Sequence, residues 1–394
     1  NAKCSVVVGG EQNRISGSAS SRYHFLGGGF INRICVTDAA QANPSVSTLV
    51  GGFNNCISVG GATIVGGTSN TNSGYEGFIG GGNAHTVSGC YSSVVAGRFN
   101  SVSGCCSAIV NGCINIVNSE FAFIGGGCSN CITGDWAVIA GGRLNCANNF
   151  YSSVGGGYSN AAETACSTIA GGYNNCICTN NWSFIGGGHT NIAAGASSVV
   201  AGGYQNCVCS CQSTIGGGFS NLINETGDGR SIIGGGYNSG ISGTCGYHTI
   251  AGGSSHCINT AGNMNTIGGG QNNDILCNIT NSTIAGGASN IICRTSGTDY
   301  GSTIAGGAGN CLVTATCWSF IGGGRNNCST SNRTVIGGGE ANTGSGCFSV
   351  IGGGNCNTAG GIGSAVLGGV SNSALGNCSV VVGGANNLAS GLFS

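Results

Sequence analysis

Charge is what this chain has least of. Of 394 residues, 10 are Lys or Arg and 11 are Asp or Glu, leaving a net charge of −1. Capture of nucleic acid or of an anionic membrane surface needs clustered basic side chains, so that class of function is excluded. Proline is all but missing: there is 1 Pro beside 82 Gly, and no Gly-X-Y period, which rules out a collagen-like triple helix. No apolar run approaches the roughly 20 residues of a membrane-spanning helix, so membrane insertion by helices is not expected. Paired carboxylates, a nucleophile with its base and a phosphate-cradling loop before a helix are absent too. The sequence therefore carries no enzyme signature and calls for no cofactor or resident metal.

What is present is repetition. The stretch Ser167 to Asn175, Ser-Thr-Ile-Ala-Gly-Gly-Tyr-Asn-Asn, recurs along the whole chain, and 24 copies can be aligned on the first residue of the Gly pair, from Gly9 through Gly171 to Gly383. Between Gly51 and Gly171 the step is 15 residues eight times running. A unit this short cannot bury a core alone, so the copies must stack on one another. The reading is an all-β parallel β-solenoid (a β-roll) of about 24 short coils, one continuous array over residues 1–394 whose Gly pairs run from Gly9 to Gly384. Copies between about 217 and 323 are longer, and their extra residues, such as Asn224 to Arg230, are expected to emerge as loops on one edge. The chain starts at Asn1 without an initiator Met and both ends lie within the pattern, which reads as a processed chain or a piece of a longer one.

Numbering the first Gly as 0, position −2 is Ile, Leu or Val in all 24 copies. Val7, Ile64, Ile124, Ile169, Ile215, Ile284, Ile336 and Val381 represent this ladder, which is expected to face the core. Position −4, most often Ser, shares that face by the period of two of a strand. The opposite face, −3 and −1, holds Thr, Val, Ser, Phe, Ala and Gly with no charge, so strand one is expected to be covered outside as well, by another copy of the chain. The Gly pair supplies a turn through positive φ. Position +4 is Asn in 21 copies, among them Asn13, Asn70, Asn130, Asn175, Asn221, Asn290, Asn342 and Asn387. These side chains are expected either to hydrogen-bond along the array or to occupy left-handed turn positions. Position +6 is mostly aliphatic, giving a second strand, and charge is confined to the rims.

Of the 26 Cys, eight fall at +5 and four at +7, facing away from the coil interior. In successive coils Cys131 and Cys146, and Cys311 and Cys328, would stand about 4.8 Å apart, within reach of a disulfide, although small apolar packing explains Cys equally well. Cys207-Val-Cys-Ser-Cys211 has alternate residues on one face, a spacing that suits a soft metal only with a fourth ligand. His24, His85, His248 and His256 replace Ser or Asn in the ladders and read as structural. Glu225, Asp228 and Arg230 suggest a solvated loop, with a calcium or sugar site as the sharper reading. Sequons at Asn181, Asn224, Asn278, Asn281, Asn327, Asn332 and Asn377 are expected by chance in a chain this rich in Asn and Ser.

The segments Val87-Ser-Gly-Cys-Tyr-Ser-Ser-Val-Val-Ala-Gly97 and Val102-Ser-Gly-Cys-Cys-Ser-Ala-Ile-Val-Asn-Gly112 join Ser-Gly to Ser, two aliphatic residues, a small residue and Gly. This resembles the repeats of trimeric autotransporter adhesin heads and of bacteriophage and viral tail fibres. The resemblance implies a homotrimer of parallel β-rolls, a non-enzymatic rigid shaft or filament segment that is extracellular or on a virion surface. Its partners would be itself, in a homotrimer or an end-to-end filament, with surface glycans as the ligand of the alternative, an adhesin head. Ice binding needs a flat Thr ladder, which −3 supplies only in part, for example at Thr249, Thr266, Thr283 and Thr303, with Phe and Val interrupting elsewhere.

Overall fold

A computed structural model describes residues 4–17, 22–36, 46–227, 229–244, 246–294, 299–313 and 317–394. They contain no helix, and the chain is a parallel β-solenoid of about 24 coils. It divides into two compact units, Asn1–Thr190 and Asn191–Ser394, built from the same coil.

In each unit strand one covers −3 and −2, as in Phe123–Ile124 and Val335–Ile336, and pairs in parallel register with its counterpart in the next coil. Strand two covers +5 and +6, as in Cys131–Ile132 and Thr343–Gly344. A third ladder, which the two-strand reading of the sequence misses, consists of single bridging residues at +2, for instance Cys128 to Arg143 and Arg325 to Glu340. It is one residue wide because left-handed residues stand on both sides of it. Position +1 is Gly at positive φ, as expected, since a Cβ on Gly142 would lie 2.2 Å from the carbonyl oxygen of Gly157.

The left-handed residues at +3 and −5 are mostly not glycine. Phe99, Ile114 and Leu144 have φ of 55°, 58° and 57°, and Phe121, Trp136 and Tyr151 have 54°, 54° and 56°. Each such residue costs on the order of 1–3 kcal/mol. The geometry returns a hydrogen bond: ladder N–H groups donate to the following coil, whereas the N–H of Phe99 donates back to Asn83 (2.8 Å) and that of Trp136 back to Glu120 (3.0 Å). These coils are thus tied in both directions at their corners.

The interior is a column of repeated side chains. Ile64, Ile124, Ile169, Ile215, Ile284 and Ile336 are completely buried and Val381 nearly so. Val7, in the first coil, has a strand neighbour on one side only and is 47% exposed, short of the burial its ladder position implies. At −4, Ser92 accepts the Ser107 N–H of the next coil (3.1 Å) and donates to the Gly104 carbonyl of its own second turn (2.7 Å).

Asn at +4 resolves the alternative left open by the sequence, because it hydrogen-bonds along the array and leaves the left-handed conformation to +3. Asn130 Nδ2 donates to the carbonyls of Gly126 and Gly142, both at 3.0 Å, while its Oδ1 accepts the N–H of Asn145 at 3.0 Å. Asn342 repeats this in the second unit with Gly338, Gly354 and Asn357, all at 3.0 Å. Asn70, Asn175, Asn221 and Asn290 are fully buried in the same bonds, whereas Asn13 and Asn387, in terminal coils, are more open.

His85 and His256 occupy +4 without breaking the column. Their Nδ1 atoms accept the N–H of Asn100 and Asn273, both at 3.1 Å, in place of an Asn oxygen. Burial holds both imidazoles below their ordinary pKa, which keeps them neutral acceptors. Asn130→Ala should therefore lower stability by about 2–4 kcal/mol, since it strands buried donors and acceptors in two coils. Asn130→His should cost clearly less, and urea unfolding of the two variants beside the parent chain measures the difference.

Candidate interaction face

Strand one turns −2 inward and −3 and −1 outward. None of its outward positions, in any of the 24 copies, is charged. The outward residues are open: Phe78, Val95 and Phe123 in the first unit are 37%, 44% and 40% exposed, and Ile232 and Phe320 in the second are 47% and 39%.

In the strands that carry Phe, bulk on this face is compensated two residues on. Phe at −3 (Phe25, Phe78, Phe123, Phe184, Phe320) is always followed at −1 by Gly, whereas Ala108 and Ala365 are followed by Val110 and Leu367. A Cβ built on Gly27, Gly80, Gly125 or Gly322 would lie 3.2, 3.4, 3.6 or 3.3 Å from the ring of the Phe two residues earlier. The rings thus lie across the glycines and the face stays level. The Thr residues foreseen at −3 are in register in consecutive coils, Thr249 beside Thr266, Thr283 and Thr303, and the series ends at Ile232 on one side and Phe320 on the other.

Two stripes of aromatic side chains run along other faces. At +2, Tyr158, Tyr173 and His189 stack at 5.1 and 4.6 Å in the first unit, and Tyr204, Phe219 and Tyr237 at 4.9 and 5.2 Å in the second. At −5, Phe121, Trp136 and Tyr151 stack at 5.4 and 5.2 Å. Sequence reasoning missed both stripes, although aromatic residues at one position of successive copies were there to be read.

The cysteines at +5 face outward as expected. Cys131 is in register with Cys146, and Cys311 with Cys328. All four are free thiols. Burial pushes the Cys131 and Cys146 thiols up, and a hydrogen bond with Cys328 raises Cys311. Cys207 and Cys209 share a face with their Sγ atoms 3.4 Å apart, yet among the described residues no three His, Cys, Asp or Glu side chains come together to hold a metal ion. The Asn327 sequon lies in the buried Asn column, closed to glycosylation once the coil has formed.

Glu225 is a correction. Read as part of a loop site with Asp228 and Arg230, it instead ends the strand Leu222–Glu225 and, two residues after buried Ile223, points into the core at 5% exposure. The period of two from Ile223 was the available signal, and the rule that charge stays on the rims fails here. Asp228 lies outside the described residues. Arg230 turns away, its Nε donating to Gln212 Oε1 (2.7 Å) and its guanidinium meeting the Tyr247 hydroxyl. Inside, the Ser231 hydroxyl donates to Glu225 Oε1 (2.9 Å), and His248 Nε2 faces the same oxygen at 3.8 Å. His248 Nδ1 accepts the N–H of Asn265 at 3.2 Å, so the proton of the neutral ring sits on Nε2, towards the glutamate. The cluster is sealed from solvent and has no access for a substrate.

Burial raises the Glu225 pKa to about 7, with the Ser231 hydroxyl acting in the opposite direction. A carboxyl raised in the folded state contributes its full stability below its unfolded pKa near 4.5, and this is lost as pH rises through about 7. Glu225→Gln should therefore be close to neutral at pH 4 and stabilising by about 3 kcal/mol at pH 8, since each tenfold change in proton affinity is worth about 1.4 kcal/mol. Thermal unfolding of both proteins across that range tests the sign.

No protein-family model matches this chain, and no curated protein is detectably similar to it.

Proposed function

We propose that this chain is a non-enzymatic structural protein, a rigid shaft or filament segment of an extracellular or virion-surface fibre. Its copies associate through the outer face of strand one, as a homotrimer or a filament. The observation that carries this reading is the level, uncharged face, kept flat by pairing each Phe with a Gly. A sheet face without charge gains little from water and much from a second flat face. Three residues of strand per coil, at about 3.3 Å each and about 4.8 Å between coils, present roughly 50 Å². Twelve coils per unit then offer roughly 600 Å² on each unit, most of the roughly 800 Å² per partner of a stable interface.

The aromatic stripes support the same reading. Glycan binding by aromatic residues uses the free face of a ring, and here the rings give their faces to one another. Stacked rings of this kind contribute about 0.5–1.5 kcal/mol per pair along the array.

Electron microscopy of the purified protein, with native mass determination, tests the proposal: uniform rods or filaments of a defined oligomer are expected, and compact monomers overturn it. Thr168→Lys with Thr214→Lys places a charge on the face of each unit without touching the core. Association should weaken by about 100-fold or more, because desolvating unpaired like charges costs several kcal/mol, while the β-sheet circular dichroism is unchanged. Association that persists in this variant would remove strand one as the interface.

A further inference from the structure

We propose that Cys277 and Cys293 are a modification site, joined under oxidising conditions by a disulfide that staples two successive coils of the second unit. The inference rests on a diagonal placement, one residue out of register, that brings the two sulfurs into contact. Cys277 is the last residue of the strand Asp274–Cys277, and Cys293 the last of Ile291–Cys293. Leu276 is the register partner of Cys293, so Cys277 stands one residue further along, on the diagonal. A strand spacing of about 4.8 Å and a rise of about 3.3 Å put the two Cα atoms roughly 5.8 Å apart, at the commonest separation for a disulfide. Cys277 has φ of 76°, and its Sγ lies 2.9 Å from Cys293 Sγ. Cys131 and Cys146, in register, project parallel Cβ vectors about 4.8 Å apart, wider than the roughly 3.5–4.5 Å of a disulfide.

Access is one-sided. Cys277 is exposed and lines an open groove with Thr260, Ala261 and Leu276, while Cys293 is half-buried. The oxidant is a small-molecule disulfide such as glutathione disulfide. Cys277 thiolate attacks one of its sulfurs, expelling one thiolate that takes up a proton and leaving a mixed disulfide on Cys277. Cys293 then loses its proton to solvent and attacks Cys277 Sγ, expelling the second thiolate. Two protein thiols are oxidised by two electrons and one small disulfide becomes two thiols. Burial and the adjacent Cys277 thiol push the Cys293 pKa up to about 11, so closure should accelerate as pH rises.

The full chain would be incubated with glutathione disulfide, alkylated, digested and mapped without reduction. A Cys277–Cys293 linked peptide should dominate, and the oxidised chain should unfold at higher urea than the reduced one. Cys277→Ser should abolish both the linked peptide and the urea shift while leaving Cys131 and Cys146 alkylated. If that variant does not fold, Cys293→Ser serves, with glutathione retained on Cys277. Alkylation of both residues after oxidation, or linkage of Cys277 to a different cysteine, would overturn the proposal.

Discussion

The spacing between adjacent parallel strands, about 4.8 Å, is the constraint on which the rest depends. Because most coils repeat in register, every side chain lies beside its counterpart in the next coil, and each position is selected for compatibility with itself. Asn satisfies this condition by being donor and acceptor at once, and aliphatic residues satisfy it by packing. A charge does not, which gives a physical reason for a composition so poor in charged residues. Where opposite charges fall in successive coils they pair, as Arg325 and Glu340 do at 3.7 Å on the surface. Like charges in register, Arg14 beside Arg33, are exposed to water.

This constraint also explains what the sequence reveals and what it conceals. The −2 and +4 ladders are legible because an interior position admits few residue types, so identity repeats with the period. The left-handed residues at −5 and +3 are invisible for the opposite reason. Their side chains point to solvent and vary freely, from Ile31 and Leu144 to Phe99 and Trp136, and their backbone N–H groups donate to the preceding coil. The +2 ladder was hidden with them, since a strand of one residue has no period. Glu225 and the Cys277–Cys293 contact fall in the longer copies, where added residues change the path of the chain after +6.

The level outer face of strand one and the sealed interior are two results of one pattern. Inside, side chains are chosen to meet their own copies. Outside, bulk is balanced in the strands that carry Phe, each set against Gly two residues on. The solvated corners at −5 and +2, lined by Trp136, Tyr158 and Arg143, distinguish one side of the coil from another.

Left-handed corners held by residues other than glycine have a further consequence. An isolated coil would bear their strain with no neighbour to receive the returning N–H groups, so a coil becomes favourable only when laid on one already formed. Growth of the fold is then templated, each turn copying the conformation of the turn before it. By the same logic whole copies could be gained or lost where the 15-residue step is unbroken, between Gly51 and Gly171, since the junctions there resemble one another. Length becomes a quantity that evolution can adjust without redesigning the coil.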